Sequence, residues 1–177
     1  EAEKICPIGT FGTFDSYFHK QGDYLISKSL DDRIGCTVII ETLRRIENPK
    51  NTVYGVFAIQ EEVGLIGAYT AGYDINPDVA IALDVTSAAD TPKGMKRISM
   101  ALGKGTCIKV KDIASISNRH IVDKLKNIAQ RYNIPYQMEV LTFGGTDAAG
   151  YQATKSGIPS ATISIPTRYI HTPSEMV

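Results

Sequence analysis

Acidic residues collect near the ends of short apolar runs along this chain, and that placement constrains its fold more than any other feature. The runs are Tyr24–Ser27, Val53–Ile59, Val79–Leu83, Glu139–Leu141 and Ala161–Ile165. At or within a few residues of their ends stand Asp31, Glu61, Glu62, Asp84, Asp147 and, toward the end of the chain, His171. Short runs of β-branched and aromatic residues read as strands. If these strands share one mostly parallel sheet, the carboxylates and the imidazole gather at its carboxyl edge, where open α/β sheets bind ligands. Several carboxylates brought to one point repel each other unless a cation holds them. The grouping points to a metal site.

Helical patterns separate the runs. Cys36, Ile39, Ile40, Leu43 and Ile46 recur at spacings of three and four, which predicts a helix from about Arg33 to Glu47. Asp32 stands where its N-cap belongs, and Asn48-Pro49 ends it. A buried strand is expected over 53–60, a short helix near 65–71 and a strand over 79–84. Ile98–Leu102 and Cys107–Lys111 read as two strands about Gly103-Lys104-Gly105, a local antiparallel excursion or a sheet edge. A second helix is expected from about Asn118 to Tyr132, with Ile121, Leu125, Ile128 and Ala129 inward. A strand over 136–142, a short helix after Asp147 and a last strand over Pro159–Ile165 complete the series. Strand, helix and strand in alternation predict an α/β fold with right-handed crossovers.

The chain has 177 residues, enough for one domain with a sizeable core. Lys plus Arg and Asp plus Glu each count 19, so no net field draws it to nucleic acid or to an anionic membrane. No apolar run approaches the roughly 20 residues of a membrane span, and no signal peptide opens the chain. Cys6, Cys36 and Cys107 lie far apart, which suggests neither a disulfide framework nor a thiolate metal site. A reducing cytoplasm fits this composition best. Residues 1–20 are Gly-rich and Phe-rich without helical period, an irregular lead-in or the tail of another domain, and 21–177 carry the α/β pattern. Both ends read as cut: the chain opens without Met, and Pro173-Ser174-Glu175 resembles the first turn of a helix that has no body.

Taken singly, each site residue has an ordinary reading. Asp31-Asp32 before a helix is a cap plus a favourable charge at the helix dipole. Glu61-Glu62 is a solvated strand end, and His171 a loop histidine. Asp84 differs, because Ile81-Ala82-Leu83-Asp84-Val85 embeds a carboxylate in an apolar strand, where it needs a partner or a metal. Together the acids and the imidazole suit zinc, manganese or cobalt. Adjacent glutamates at a strand end point to opposite sides. One can therefore hold a metal while the other takes a proton from water whose pKa the metal lowers toward ~7.

Five segments carry a family resemblance. They are Leu30-Asp31-Asp32-Arg33-Ile34-Gly35-Cys36, Gln60-Glu61-Glu62-Val63-Gly64-Leu65-Ile66-Gly67-Ala68, Ala82-Leu83-Asp84-Val85-Thr86, Gly144-Gly145-Thr146-Asp147-Ala148 and Arg168 through Met176. In this order they resemble the co-catalytic metallo-aminopeptidases, the family of tetrahedral, glutamyl and deblocking aminopeptidases, some of whose members carry an endoglucanase label. The resemblance runs from about residue 20 onward. It implies a three-layer zinc-exopeptidase-like α/β fold, with a mostly parallel mixed sheet flanked by helices. It also implies two divalent metal ions per subunit, zinc or cobalt, in the intact protein. Asp31 would bridge them, Glu62 and His171 would complete one site, and Asp84 would belong to the other. Glu61 would be the general base and acid acting with a metal-bound hydroxide on the first peptide bond, and Asp32 would set the loop behind Asp31. Gly144, Gly145, Thr146 and Asp147 would line the substrate side.

The family's second metal takes a further histidine from an upstream motif, and a dimerisation domain is inserted between that motif and the Asp-Asp-Arg loop. His19 and His120 lie in no comparable motif and read as surface residues. Residues 1–20 would be the returning edge of the insert. The chain as given is therefore expected to hold one metal or none and to be inactive, while the intact protein forms dimers and larger homo-oligomers and acts on peptides. Two other readings stand beside this one: a metal-independent glycoside hydrolase built on two carboxylates, and a non-catalytic core. The absence of Trp speaks against the first.

Overall fold

A computed structural model describes residues 1–15 and 17–177. A four-residue helix, α1 (Ala2–Ile5), opens an otherwise irregular stretch. It leads into β1 (His19–Gln21) and β2 (Tyr24–Ser27), an antiparallel pair turned at Gly22, whose φ of 61° suits glycine. Helix α2 (Leu30–Arg45) follows, with non-helical backbone at Asp31 and Asp32, so its regular part begins beyond them. Next come α3 (Ile66–Ile75), β3 (Ala80–Ser87), β4 (Thr106–Lys111), α4 (Arg119–Arg131) and β5 (Tyr136–Val140). Helix α5 (Asp147–Gln152), β6 (Ser160–Thr167) and β7 (Glu175–Met176) complete the chain.

The strands form two sheets rather than the single one expected. The larger is mixed, in the order β3-β6-β4-β5, with β3–β6 and β4–β5 parallel and β4–β6 antiparallel. Helices flank it. The smaller is antiparallel, in the order β1-β2-β7. Tyr24–Ser27 is therefore a strand as expected but belongs to the small sheet, and it delivers Asp31 to the site from outside the main one.

Strand β6 is packed between neighbours on both sides and is built of small residues. Ala161, Thr162 and Ser164 are fully buried. The Thr162 hydroxyl meets that of Thr146 at 2.9 Å, while Ser164 Oγ has no hydrogen-bond partner among the described residues. Small side chains on the strand let α5 approach it. Its Gly150 abuts Ala68 of α3 so closely that a Cβ there would lie 2.8 Å from the alanine methyl. Ala68, Ala80, Tyr151 and Ile158 form one apolar cluster, and Ile98, Met100, Cys107 and Leu141 form another.

Three further expectations are corrected. No strand forms over 53–60 among the described residues. The run packs against α2 at Gly55, where a Cβ would come 2.6 Å from Leu43 Cδ1, and Val53, Tyr54, Phe57 and Ile59 stay exposed. Apolar content favours a strand only where a backbone neighbour pairs with it, and the run joins no ladder among the described residues. Ile98–Leu102 is irregular and buried except at Ser99, held by bonds such as Ala89 N–H to Met100 O (3.0 Å) and Leu102 N–H to Asp90 Oδ2 (3.0 Å). Thr172–Val177 is not the start of a helix: it is a turn running into β7, because Glu175 and Met176 pair with Ser27 and Ile26.

The helices match the sequence reading more closely. Asp32 caps α2 as expected, its Oδ1 accepting the Gly35 N–H at 3.1 Å, and Asn118 caps α4 through the amides of His120 and Ile121. On α4, Val122 and Ala129 are buried while Ile128 is exposed, which corrects its inward placement; Ile40 and Leu43 of α2 are likewise exposed. No described helix is long and apolar enough to cross a membrane.

Candidate metal centre

The site forms where the two sheets meet. Asp31 enters from β2 through Ser29, whose φ is 55°, and the Asp31–Asp32 peptide is cis. Glu61 and Glu62 sit in a tight turn rather than at a strand end: Glu61 O accepts the amides of Gly64 (3.0 Å) and Leu65 (2.9 Å). This turn, with Gln60 at φ 57° and Leu65 at φ 60°, starts α3. The alternation expected of strand neighbours is thus replaced by a turn, which still presents both carboxylates to the pocket. Asp84 lies within β3 and is buried, its Oδ1 accepting the Val85 N–H at 2.7 Å. His171 follows β6 on a loop with φ values of 61° at Tyr169 and 63° at His171 itself.

These residues converge. His171 Nε2 lies 3.1 Å from Asp31 Oδ2 and 3.2 Å from Glu62 Oε2. Two groups of donor atoms emerge, Asp31 with Glu62 and His171, and Asp31 with Asp32 and Asp84; within each, the atoms all lie within 4.8 Å of one another. Asp31 is common to both. The second group brings in Asp32, whose carboxylate therefore stands beside Asp84 as well as capping α2. His19 and His120 are exposed and belong to neither group.

Electrostatics bear on whether these residues fit a cation. Burial, then the neighbouring Glu62, raises Asp31 to about 6. Burial, reinforced by Asp31 and Glu61, raises Asp32 to about 7, and burial with Glu62 and Asp147 raises Glu61 to about 7. Asp84 is pushed to about 9, mainly by burial and then by Asp32 and Glu61. Asp147 is raised by burial. The carboxylates oppose one another's ionisation, which is the condition a divalent cation relieves. The donor set is oxygen-rich with one imidazole and no thiolate, since none of the three cysteines joins either group. That chemistry fits zinc, cobalt or manganese.

A pocket of about 360 Å³ opens beside the acids, walled by Thr86, Lys109, Leu141, Phe143 and Ile170. Gly144 and Gly145 line it, with Gly144 at φ 69° and Gly145 against Ala114. Thr146 is buried and turned to Thr162, so it shapes the turn rather than the pocket surface. Asp147, first residue of α5, is felt electrostatically at Asp32 and Glu61, and its Oδ1 is buried without a hydrogen-bond partner.

Sequence reasoning missed Lys109, Glu139 and Glu175. Lys109 and Glu139 are fully buried and paired at 2.6 Å. Each interrupts a β-like run with a charge, the same signal that singled out Asp84. Glu175 is buried beneath the site and accepts the backbone N–H groups of Asp31 and His171.

The chain is similar to known proteins along its length. The family model described as M42 glutamyl aminopeptidase matches residues 1–177. The lysyl aminopeptidase of Pyrococcus furiosus is 36% identical over 179 residues, covering 99% of this chain and 51% of its own length. Among solved structures, an aminopeptidase from the archaeon Desulfurococcus kamchatkensis superposes with a TM-score of 0.90 at 42% identity, covering 93% of this chain and 47% of that one. The TET1 peptidase of Pyrococcus horikoshii, described as assembling into a tetrahedron or a large octahedral shell, gives 0.75 at 30% identity, covering 93% and 48%. The chain spans about half the length of the curated relatives it matches.

Proposed function

This chain belongs to the M42 glutamyl aminopeptidase family, and from that premise we propose that it carries the metal-holding core of an aminopeptidase that removes N-terminal residues from peptides. The observation that carries the reading is the approach of His171 Nε2 to both Asp31 and Glu62, with Asp31 shared by the second acid group. Asp31, Glu62 and His171 would hold one ion, and Asp31 with Asp84 would hold the other, Asp32 orienting the loop that carries Asp31. Bound there, zinc or cobalt supplies Lewis acidity to the scissile carbonyl and to water.

The remaining chemistry belongs to the protein. Glu61, half-buried and raised to about 7 in the unneutralised cluster, takes a proton from the attacking water at its carboxylate and returns it to the departing amine. Gly144 and Gly145 bring unobstructed backbone to the pocket wall, where a substrate main chain can lie. Asp147 adds negative charge near Glu61, which favours a substrate's free ammonium end. In the intact protein we propose homo-oligomers, as the TET1 peptidase forms. The second group has no imidazole among the described residues, so this chain alone should hold one zinc tightly and turn over slowly.

The test is release of N-terminal residues from a short peptide by the intact protein, before chelation, after it, and after zinc or cobalt is restored. Loss and recovery support the reading. Activity that survives exhaustive chelation, or cleavage of a glycoside in place of a peptide, would favour a metal-independent carboxylate pair instead.

A further inference from the structure

We propose that Glu175 is a positioning residue that locks the backbones of two candidate metal ligands, Asp31 and His171, into a single frame, a role that rests on the metal-site reading above. Its Oε2 accepts the Asp31 N–H at 2.9 Å and its Oε1 accepts the His171 N–H at 2.8 Å. Asp31 and Glu175 are 144 residues apart in sequence, so this one side chain fixes the relative placement of two distant segments. Both oxygens are spent on amides, and Glu175 belongs to neither donor group. It acts through the ligands rather than as one of them.

The surroundings make it a fixed point. Glu175 is 2% exposed. Strand β7 sets it opposite Ser27 of β2, and Met176 pairs on one side with Ile26 and on the other with Arg168 through two backbone bonds of 2.8 and 3.0 Å. The carboxylate thus stands on a two-sided backbone ladder, between the strand that leads to Asp31 and the loop that ends in His171. Charge-assisted bonds from N–H to carboxylate are roughly twice as strong as neutral ones. His171 also needs such an anchor, because a non-glycine residue at φ 63° holds that conformation only when its surroundings impose it. The 3.1 Å spacing of Asp31 Oδ2 and His171 Nε2 depends on these two backbones keeping their register. Partners of this kind, one step behind the ligands, set ligand geometry and metal affinity.

The experiment compares zinc affinity, by competition with a chromophoric chelator, and the visible spectrum of the cobalt-loaded protein. Four proteins are used: wild type, Glu175→Gln, His171→Ala and Asn118→Ala. Gln keeps the shape of Glu175 but turns an NH₂ toward one of the two amides. It should weaken zinc binding about 10–100-fold and alter the cobalt bands. Asn118→Ala removes the side chain that accepts the His120 and Ile121 amides at the start of α4, away from the ladder that carries Glu175, so it should lower stability and leave affinity and spectrum unchanged. Wild-type affinity and spectrum in Glu175→Gln, with binding lost in His171→Ala, overturn the positioning role alone. Equal weakening by Asn118→Ala overturns it as well, since general loosening would then suffice. Equal zinc uptake by wild type and His171→Ala overturns the metal-site reading and this role with it. If Glu175→Gln does not fold, amide exchange in the wild-type protein decides: slow exchange at Asp31 and His171 supports the lock, and fast exchange at both refutes it.

Discussion

Removing Lys109, which lines the pocket, tests the buried charge network behind it. Lys109 Nζ lies 2.6 Å from Glu139 Oε1 and 3.6 Å from Asp112 Oδ2, and all three side chains are essentially without solvent. Asp112 has other support: its Oδ1 accepts the amides of Ala114 and Ser115 and the Ser115 hydroxyl. Among the described residues Glu139 has the Thr86 hydroxyl at 2.8 Å besides the lysine, and its Oε2 accepts no hydrogen bond there. Lys109→Met preserves volume and leaves Glu139 as an uncompensated buried charge. Breaking a buried pair from one side costs about 3–5 kcal/mol. At about 2–4 °C per kcal/mol for a chain of this size, the melting temperature should drop by roughly 6–20 °C. Glu139→Gln in the Lys109→Met background should recover much of the loss, since a neutral amide still accepts from Thr86. Urea and thermal unfolding of chelated protein, arranged as a double-mutant cycle, measure this without metal linkage. A Lys109→Met protein within about 1 kcal/mol of wild type would refute the view that this pair carries an uncompensated load.

Stability of the metal-free protein should fall as pH rises. Asp31, Asp32, Glu61 and Asp84 are raised to about 6, 7, 7 and 9, so their protonated forms favour the folded state; that contribution is full below the ordinary carboxylate range near 4 and is lost as pH climbs through about 6 to 9. Zinc should reverse the trend, its affinity rising over the same window with proton release, and melting curves across that range with and without zinc check both signs. Glu61→Gln in the intact protein should retain zinc and lose turnover by ~10²-fold or more, measured by peptide cleavage beside metal analysis.

The sequence disclosed the site better than the framework around it. Asp84 was conspicuous because a carboxylate inside an apolar strand is costly in isolation, and the structure buries it beside Asp31 and Asp32. The helices were visible from their spacing and from caps such as Asn118, whose side chain takes two amides at the start of α4. Partitioning of strands into two sheets was not visible, because a run such as Tyr24–Ser27 records its propensity and not its neighbour. Val53–Ile59 shows the same limit more sharply: its residues favour a strand, yet among the described residues it lies along a helix and joins no ladder. Nothing in the sequence marks Glu175, because one of the two amides it accepts lies 144 residues away and a Pro-Ser-Glu series has a simpler local reading as a helix start.

X-ray absorption at the zinc edge, on protein loaded with one equivalent of zinc, tests the central claim most directly. Asp31, Glu62 and His171 predict a first shell of oxygen and nitrogen at roughly 2.0–2.2 Å with the scattering pattern of one imidazole, and that pattern should vanish in His171→Ala. A sulfur shell at roughly 2.3 Å, or an imidazole signal unchanged by His171→Ala, would contradict it.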